Sequence, residues 1–325
     1  MVKAIRIHEN GGPEVMKWED YKVPLPGEGE VLIEHSAIGL NFIDVYHRTG
    51  LYPLPGLPWV LGMEGAGTVS DVGEGVDEFK PGDRVAYAGM PPGSYAEART
   101  IPAHRLVKLP NNISMETAAA MMLQGMTVRY LLRGCYDVKQ GDTILFHAAA
   151  GGVGLIACQW AKALGATVIG TVGSDEKAEL AKAHGCDHTI VYTRENFTEK
   201  VKEITGGEGV AVVYDSIGKD TFEGSLDSLR PMGTMVSYGN ASGPVDNFNL
   251  GILAQKGSLF ITRPTLMTYT AKREDLLAHA QDLFDVVTSG DVTVSINQRY
   301  PLSEAAQAHM DLEARKTTGS TILLP

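Results

Sequence analysis

The chain has 325 residues, enough for about two domains of roughly 150 residues, each with a sizeable core. Twenty-eight basic against 39 acidic residues leave a formal charge of −11, and no basic stripe stands out that would neutralise nucleic-acid phosphates, so nucleic acid is not an expected partner. Cys135, Cys158 and Cys186 are the only cysteines. They are too few and too scattered for a disulfide framework or a clustered zinc site, and a reduced, cytoplasmic compartment is expected.

The first residues alternate apolar and polar as a strand does and lack the apolar core of a signal peptide. No stretch reaches about 18 uninterrupted apolar residues, so no membrane span is expected. Up to about Leu123, short alternating segments such as 31–38, 68–72 and 84–88 are punctuated by Gly and Pro and predict a mainly β domain. From Gln124 strands and helices alternate, with apolar strands at 143–147, 167–171, 188–191, 210–214, 233–238 and 259–262. Helical patterns fill 154–164, 175–184, 197–204 and 219–229. This predicts a doubly wound, six-stranded parallel sheet of the α/β class, the architecture that binds dinucleotides. A helix at 272–287, a strand at 292–300, a helix at 303–312 and a strand at 321–323 follow. That tail is too short for a third domain and is expected to complete the first. The expected division is 1–123 with 265–325, and 124–264.

The strongest local signal runs from Gly141-Asp142 through an apolar strand to Ala149-Ala150-Gly151-Gly152-Val153-Gly154, then Gln159 and Lys162 on a helical pattern. A glycine turn lets the backbone approach a pyrophosphate, and the helix N-terminus offers it free N–H groups and a favourable dipole. Thirty-seven glycines, about 11% against a norm near 7%, need such positional reasons.

This run resembles the signature of the quinone oxidoreductases, the zeta-crystallin branch of the medium-chain dehydrogenase/reductase superfamily. Gly62-Met63-Glu64-Gly65-Ala66-Gly67, followed by Gly73 and Val76, is similar to that superfamily's Gly-His-Glu segment. Met63 stands where alcohol dehydrogenases carry a zinc-ligating histidine. With Asn41-Phe42-Ile43-Asp44 and Arg263-Pro264 the resemblance spans the chain, and it is strongest to the bacterial NADPH:quinone oxidoreductases. It implies a GroES-like domain beside the Rossmann domain, a soluble homodimer, and an NADPH-dependent enzyme that passes hydride to a quinone stacked in the cleft between domains. The last strand of such a sheet can pair across a two-fold axis. Reduction of alkenals or enones is the alternative, and a non-enzymatic, NADPH-binding crystallin-like or RNA-associated protein a further one.

Catalytic zinc commonly needs two thiolates and an imidazole with one open position. Met63 replaces the imidazole, every cysteine lies in or beside the nucleotide half, and 87–100 holds none, so no metal is expected. The histidines are spread out, with His104, His184, His188, His279 and His309 expected on surfaces or helix faces, and His147 is not assigned as a base.

NAD enzymes hold the adenosine ribose with an acid about 20 residues past the fingerprint. Here the second strand ends Gly173-Ser174, and a Ser174 hydroxyl with the Lys177 ammonium one turn later suits a 2′-phosphate. Asp175 and Glu176 complicate this unless they serve the helix dipole. Tyr192, past the third strand, offers a face or hydroxyl. The resemblance implies cofactor contacts from Lys177 and Tyr192, from Asn41, Phe42, Ile43, Asp44 and Tyr46, and from Thr127, Tyr130 and Ser216. It adds Tyr238, Gly239, Asn240, Ala241, Arg263, Pro264 and Arg315, beside Gly151, Gly152, Val153 and Gly173 of the loops. Ser216 and Tyr238 to Ala241 follow the fourth and fifth strands, where open α/β sheets bind ligands.

A planar quinone asks the protein mainly to stack, orient and shield it, with protons from solvent or a nearby hydroxyl. Asn41, Tyr46 and Tyr52 are the acceptor-orienting candidates, with Gln124 nearby. A capping Asn and two half-buried tyrosines are the plainer alternatives.

Overall fold

The computed structural model describes all residues from Met1 to Pro325. They form two compact units, 1–126 with 269–288 and 294–325, and 127–268 with 289–293.

In chain order the first unit supplies β1 (Val2–Ile7), β2 (Met16–Tyr21), β3 (Glu30–Leu40), α1 (Phe42–Thr49), β4 (Trp59–Val60) and β5 (Glu64–Val72). It continues with β6 (Arg84–Ala88), β7 (Ala98–Pro102), β8 (Val107–Lys108), α2 (Met115–Ala119) and most of α3 (Met122–Tyr130). The second unit runs β9 (Thr143–Phe146), α4 (Gly152–Ala163), β10 (Thr167–Val172), α5 (Asp175–Ala183), β11 (His188–Val191) and α6 (Phe197–Ile204). There follow β12 (Val210–Asp215), α7 (Phe222–Asp227), β13 (Leu229–Ser237), α8 (Gly251–Gln255) and β14 (Phe260–Thr262). After the short α9 (Leu266–Tyr269) the chain forms α10 (Arg273–Thr288), β15 (Ile296–Pro301), α11 (Ala305–Glu313) and β16 (Ser320–Leu324).

The second unit is a six-stranded sheet in the order β11-β10-β9-β12-β13-β14, every pairing parallel. The order reverses between β9 and β12, the switch point at which such sheets open a crevice at their carboxyl ends. β12 is buried along its whole length, the continuous apolar run expected of a strand covered on both faces. The helix expected over 219–229 is shorter. Gly218 takes φ +92°, and the Asp215 carboxylate binds the Ile217 and Gly218 N–H groups, which holds the turn open until Phe222.

The first unit carries a sheet in the order β15-β16-β3-β5-β6-β8, with β7 on β3, and a small sheet β2-β1-β4. β15 and β16 come from the C-terminal tail, and β16 pairs antiparallel with β3. The strand expected from Val292 starts only at Ile296, because Gln159 of α4 takes both backbone groups of Thr293. This unit is also less purely β than its pattern predicts, since α1 and α2 interrupt the strands. Residues 42–49 carry no legible helical period, because the helix is short and places a carboxylate, an imidazole and a guanidinium among its buried residues. No helix is long and apolar enough to cross a membrane.

Candidate active site

In the second unit, α4 begins immediately after the glycine turn that follows β9. Gly151 is its N-cap and no side chain caps it, so its first-turn N–H groups and dipole are left for an anion. A Cβ on Gly154 would lie 2.3 Å from the Ala148 carbonyl oxygen and 2.6 Å from that of Ala149. Only glycine lets the helix start this close to the strand end.

Beyond β10, Ser174 N-caps α5 and accepts from the Lys177 N–H at 3.4 Å. Asp175 forms a two-point ion pair with Arg194, at 2.8 and 2.5 Å, which turns it toward a guanidinium. The Arg194 pairing holds the Asp175 carboxyl below the usual range, and a hydrogen bond from Ser174 does the same for Glu176. Tyr192, 40% exposed, brings its hydroxyl over Gly173, 3.1 Å from where a Cβ would stand. Gly173, Ser174, Lys177 and Tyr192 are thereby gathered at the ends of β10 and β11.

A second group forms at the ends of β12 and β13. The Tyr238 N–H donates to the Asp215 carbonyl, and that of Ala241 to Ser216. Arg263 donates to the Ser237 carbonyl at 3.0 Å, and the Asn240 amide oxygen accepts from Arg263 Nη2 at 3.1 Å. Beside them lies a polar core built around the fully buried Asp215 and Ser225. Asp215 accepts from the Thr221 and Ser225 hydroxyls at 2.7 and 2.8 Å as well as from the two backbone N–H groups. Because Ser225 donates to Asp215, His147 Nε2–H must donate to Ser225, leaving Nδ1 to accept from Thr171. Burial pushes His147 down, against the pull of Asp215. It is a neutral spacer, not a base.

In the first unit, Asn41 N-caps α1 and is buried. Its backbone N–H donates to Asp44 at 2.9 Å. Its side-chain Nδ2 donates to Glu64 Oε2 at 2.7 Å, while its Oδ1 accepts from Gln124 Nε2 at 3.2 Å. Gln124 Oε1 accepts in turn from the Ser320 hydroxyl on β16. Tyr46 is buried and Tyr52 half-buried, and their rings meet edge-on at 5.1 Å, with Phe42 5.4 Å from Tyr46. Ile43 lies on the same helix. Arg315 follows α11 in a left-handed conformation, φ +58°, whereas Thr127 and Tyr130, buried on α3, and Pro264, buried after β14, belong to the second unit.

Glu64 was visible only as part of a motif, and a second buried chain had no sequence signal. Arg48 is 1% exposed and His309 fully buried on the inner face of α11. Arg48 bridges Glu313 at 2.9 Å and donates to His309 Nδ1. His309 Nε2–H donates to Tyr95, whose hydroxyl donates to Asp44 at 3.0 Å. All donors point the same way, from the buried cation toward the buried carboxyl.

Burial pushes Asp44 up to about 7 and Glu64 up to about 8, opposed by their hydrogen bonds. It pushes His35 and His309 down to about 3. The signs oppose one another. The carboxyls contribute stability that is complete below about pH 4 and is lost as pH rises through 7 and 8. The imidazoles contribute stability that is complete above about pH 6.5 and is lost as pH falls toward 3. His47, pushed down to about 4 by burial, adds a third imidazole against the two carboxyls, so the expected result, read by urea titrations across pH, is a rise in stability to a maximum at about pH 6.5 and a fall above it, each titrating group adding up to about 1.4 kcal/mol per pH unit. Asp44→Asn should flatten the alkaline limb; an unchanged limb would contradict the assignment.

For metal, Met63 is buried in the segment where a zinc-ligating imidazole would sit, and no three His, Cys, Asp or Glu side chains are grouped to hold an ion. Two family models match the chain, an alcohol dehydrogenase GroES-like domain over residues 27–111 and a zinc-binding dehydrogenase over residues 152–281. A quinone oxidoreductase of Pseudomonas aeruginosa is 57% identical over the full length of both chains. The crystal structure of Escherichia coli quinone oxidoreductase complexed with NADPH matches at a TM-score of 0.98 and 52% identity, over 99% of this chain and all of the other. A 2-haloacrylate reductase of Burkholderia is 48% identical, over 100% of this chain and 99% of its own. With two such domains and full-length identity of this order, the chain belongs to the quinone oxidoreductase family of the medium-chain dehydrogenase/reductase superfamily.

Proposed function

We propose that the protein is a zinc-independent, NADPH-dependent quinone reductase. The observation that carries the cofactor half is the second unit's pairing of an uncapped, glycine-lined helix N-terminus with the Ser174, Lys177 and Tyr192 cluster. NADPH, when bound, supplies the hydride, and a quinone that takes the hydride and one proton becomes a hydroquinone.

The work of the chain is binding and orientation. The first turn of α4, with Gly151, Gly152 and Val153, holds the pyrophosphate, and Lys177 and Ser174 hold the 2′-phosphate while Arg194 keeps Asp175 aside. Thr127, Tyr130, Ser216, Tyr238 to Ala241, Arg263 and Pro264 serve the rest of the dinucleotide; for Phe42, Ile43 and Arg315 a cofactor contact rests on family likeness alone. Asn41, Tyr46 and Tyr52 orient the acceptor, and Asp44 acts through Asn41. A thioether at 63 and the lack of a clustered donor set do not fit catalytic zinc. A soluble homodimer remains part of this reading on family likeness.

The likeness to 2-haloacrylate reductase favours a second reading, hydride delivery to the carbon–carbon bond of a conjugated carbonyl compound. Initial rates of metal-free protein with NADPH and 1,4-benzoquinone, naphthoquinones, alkenals and 2-haloacrylate separate the two. Quinone turnover is expected; turnover confined to conjugated carbonyls would overturn the first reading, and tight NADPH binding without any turnover would overturn both. Lys177→Ala should weaken NADPH binding by about tenfold or more, the size of a lost charge-assisted hydrogen bond, and barely alter NADH binding. Equal losses would remove the 2′-phosphate role.

A further inference from the structure

A carboxamide has a donor end and an acceptor end of nearly identical shape, so its partners decide which way round it sits. Asn41 lies between two such partners in the first unit. Glu64 Oε2 takes one Nδ2 hydrogen at 2.7 Å, and its Oε1 accepts the Leu123 N–H at 2.8 Å. On the other side Gln124 donates to Asn41 Oδ1, and the single Ser320 hydroxyl hydrogen is shared between Gln124 Oε1 at 2.8 Å and the Ala120 carbonyl at 3.0 Å. The chain runs in one direction, Ser320 to Gln124 to Asn41 to Glu64, and ends on a group whose two oxygens both meet N–H donors. That direction belongs to the carboxylate form, in which both oxygens only accept; a neutral carboxyl that gives its carbonyl oxygen to the Leu123 N–H would turn its O–H toward Asn41. Asn41 Nδ2 has two hydrogens and Glu64 takes only one.

We propose that Glu64 is a positioning residue that locks the Asn41 carboxamide with its nitrogen toward Glu64, so that its second N–H serves as the donor to the carbonyl oxygen of the acceptor. This rests on the reading of Asn41 as an acceptor-orienting residue. It narrows the substrate class to acceptors whose oxygen gains negative charge as hydride arrives, since a preorganised donor lowers that barrier most. The inverted amide would offer the same oxygen a lone pair instead.

The amide of Glu64→Gln has only one accepting atom, and the Leu123 N–H is fixed in the backbone. The new NH₂ therefore faces Asn41 and turns its carboxamide over. Measured above about pH 8, where Glu64 is ionised, kcat/KM for 1,4-benzoquinone is expected to fall by about 100-fold, the order seen when one such donor is lost, with the NADPH dissociation constant within about twofold. The reciprocal change, Gln124→Glu, completes the inversion. In the double variant Glu64→Gln/Gln124→Glu the side-chain bonds among residues 41, 64 and 124 are again satisfied with their direction reversed, while Ser320 still donates to residue 124 and only the capping contact of Asn41 with the Asp44 N–H is lost. Its melting temperature should return toward the parent value while quinone turnover stays low. Recovery of both together would overturn the proposal and leave Glu64 a structural residue. Asn41→Ala separates the two levels of the argument. If it leaves quinone turnover intact, the reading of Asn41 fails. If it lowers turnover and adding Glu64→Gln lowers it further by the same factor as in the parent, Glu64 does not act through Asn41. A double variant no worse than Asn41→Ala alone is the supporting result.

Discussion

Replacing Gly154 with alanine should be among the most damaging additions of a single methyl group in the protein. In an ordinary helix interior Gly→Ala is stabilising by about 1 kcal/mol. Here the added Cβ would sit 2.3 and 2.6 Å from two carbonyl oxygens of the preceding turn. These are backbone atoms and cannot swing aside as a side-chain tip would. The first turn of α4 must move off the end of β9, and with it the N–H groups proposed to hold the pyrophosphate. The expected result is a loss of NADPH affinity of about 100-fold or more, corresponding to roughly 2.7 kcal/mol, with a smaller loss of stability. Calorimetric titration with NADPH reads the first and urea unfolding the second. A variant that binds NADPH like the parent would show that α4 does not hold the pyrophosphate.

Asp215→Ala should produce the largest loss of stability. The carboxylate is fully buried and accepts four hydrogen bonds, two from backbone N–H groups and two from hydroxyls. Removing one side of a buried charged network leaves its partners unpaired, at a cost of about 3 to 5 kcal/mol. Thr221→Ala, which removes one donor and keeps the carboxylate, should cost only about 1 kcal/mol. The loss is also local. The same bonds set the turn after β12 that presents Ser216, so Asp215→Ala should weaken NADPH binding even at temperatures where the protein remains folded. A cost below about 1 kcal/mol would mean that water replaces the carboxylate at no penalty, contrary to the burial of the site.

The two variants sit at different depths of legibility. Gly154 was marked in the sequence, because a strand, a glycine turn and an amphipathic helix follow one another within a few residues and each has a local signal. Asp215 was not marked, since an acid at the end of an apolar strand reads like any strand terminus. Its importance comes from hydroxyls and N–H groups delivered by a later turn and helix. The same contrast separates Lys177 from Glu64. Lys177 follows an N-cap serine on the same helix, whereas Glu64 gains its meaning from Asn41 on the preceding segment and from Leu123 and Gln124 some 60 residues later.

The sequence by itself determined the parallel six-stranded sheet, the glycine turn at its centre and the family to which the chain belongs. Those features depend on local periodicity and on contiguous motifs, and their outcome does not require knowing what packs against them. Only the tertiary structure decided the two buried networks of the first unit. It made residues 42–49 a helix by holding Asp44 and Arg48 with Tyr95, His309 and Glu313. The physical reason is that a buried polar side chain is stable only with partners, and here the partners lie tens to hundreds of positions away. The strands of the first sheet bring them together, β3 with β5 and with the C-terminal β16, and no pattern along the chain records that meeting.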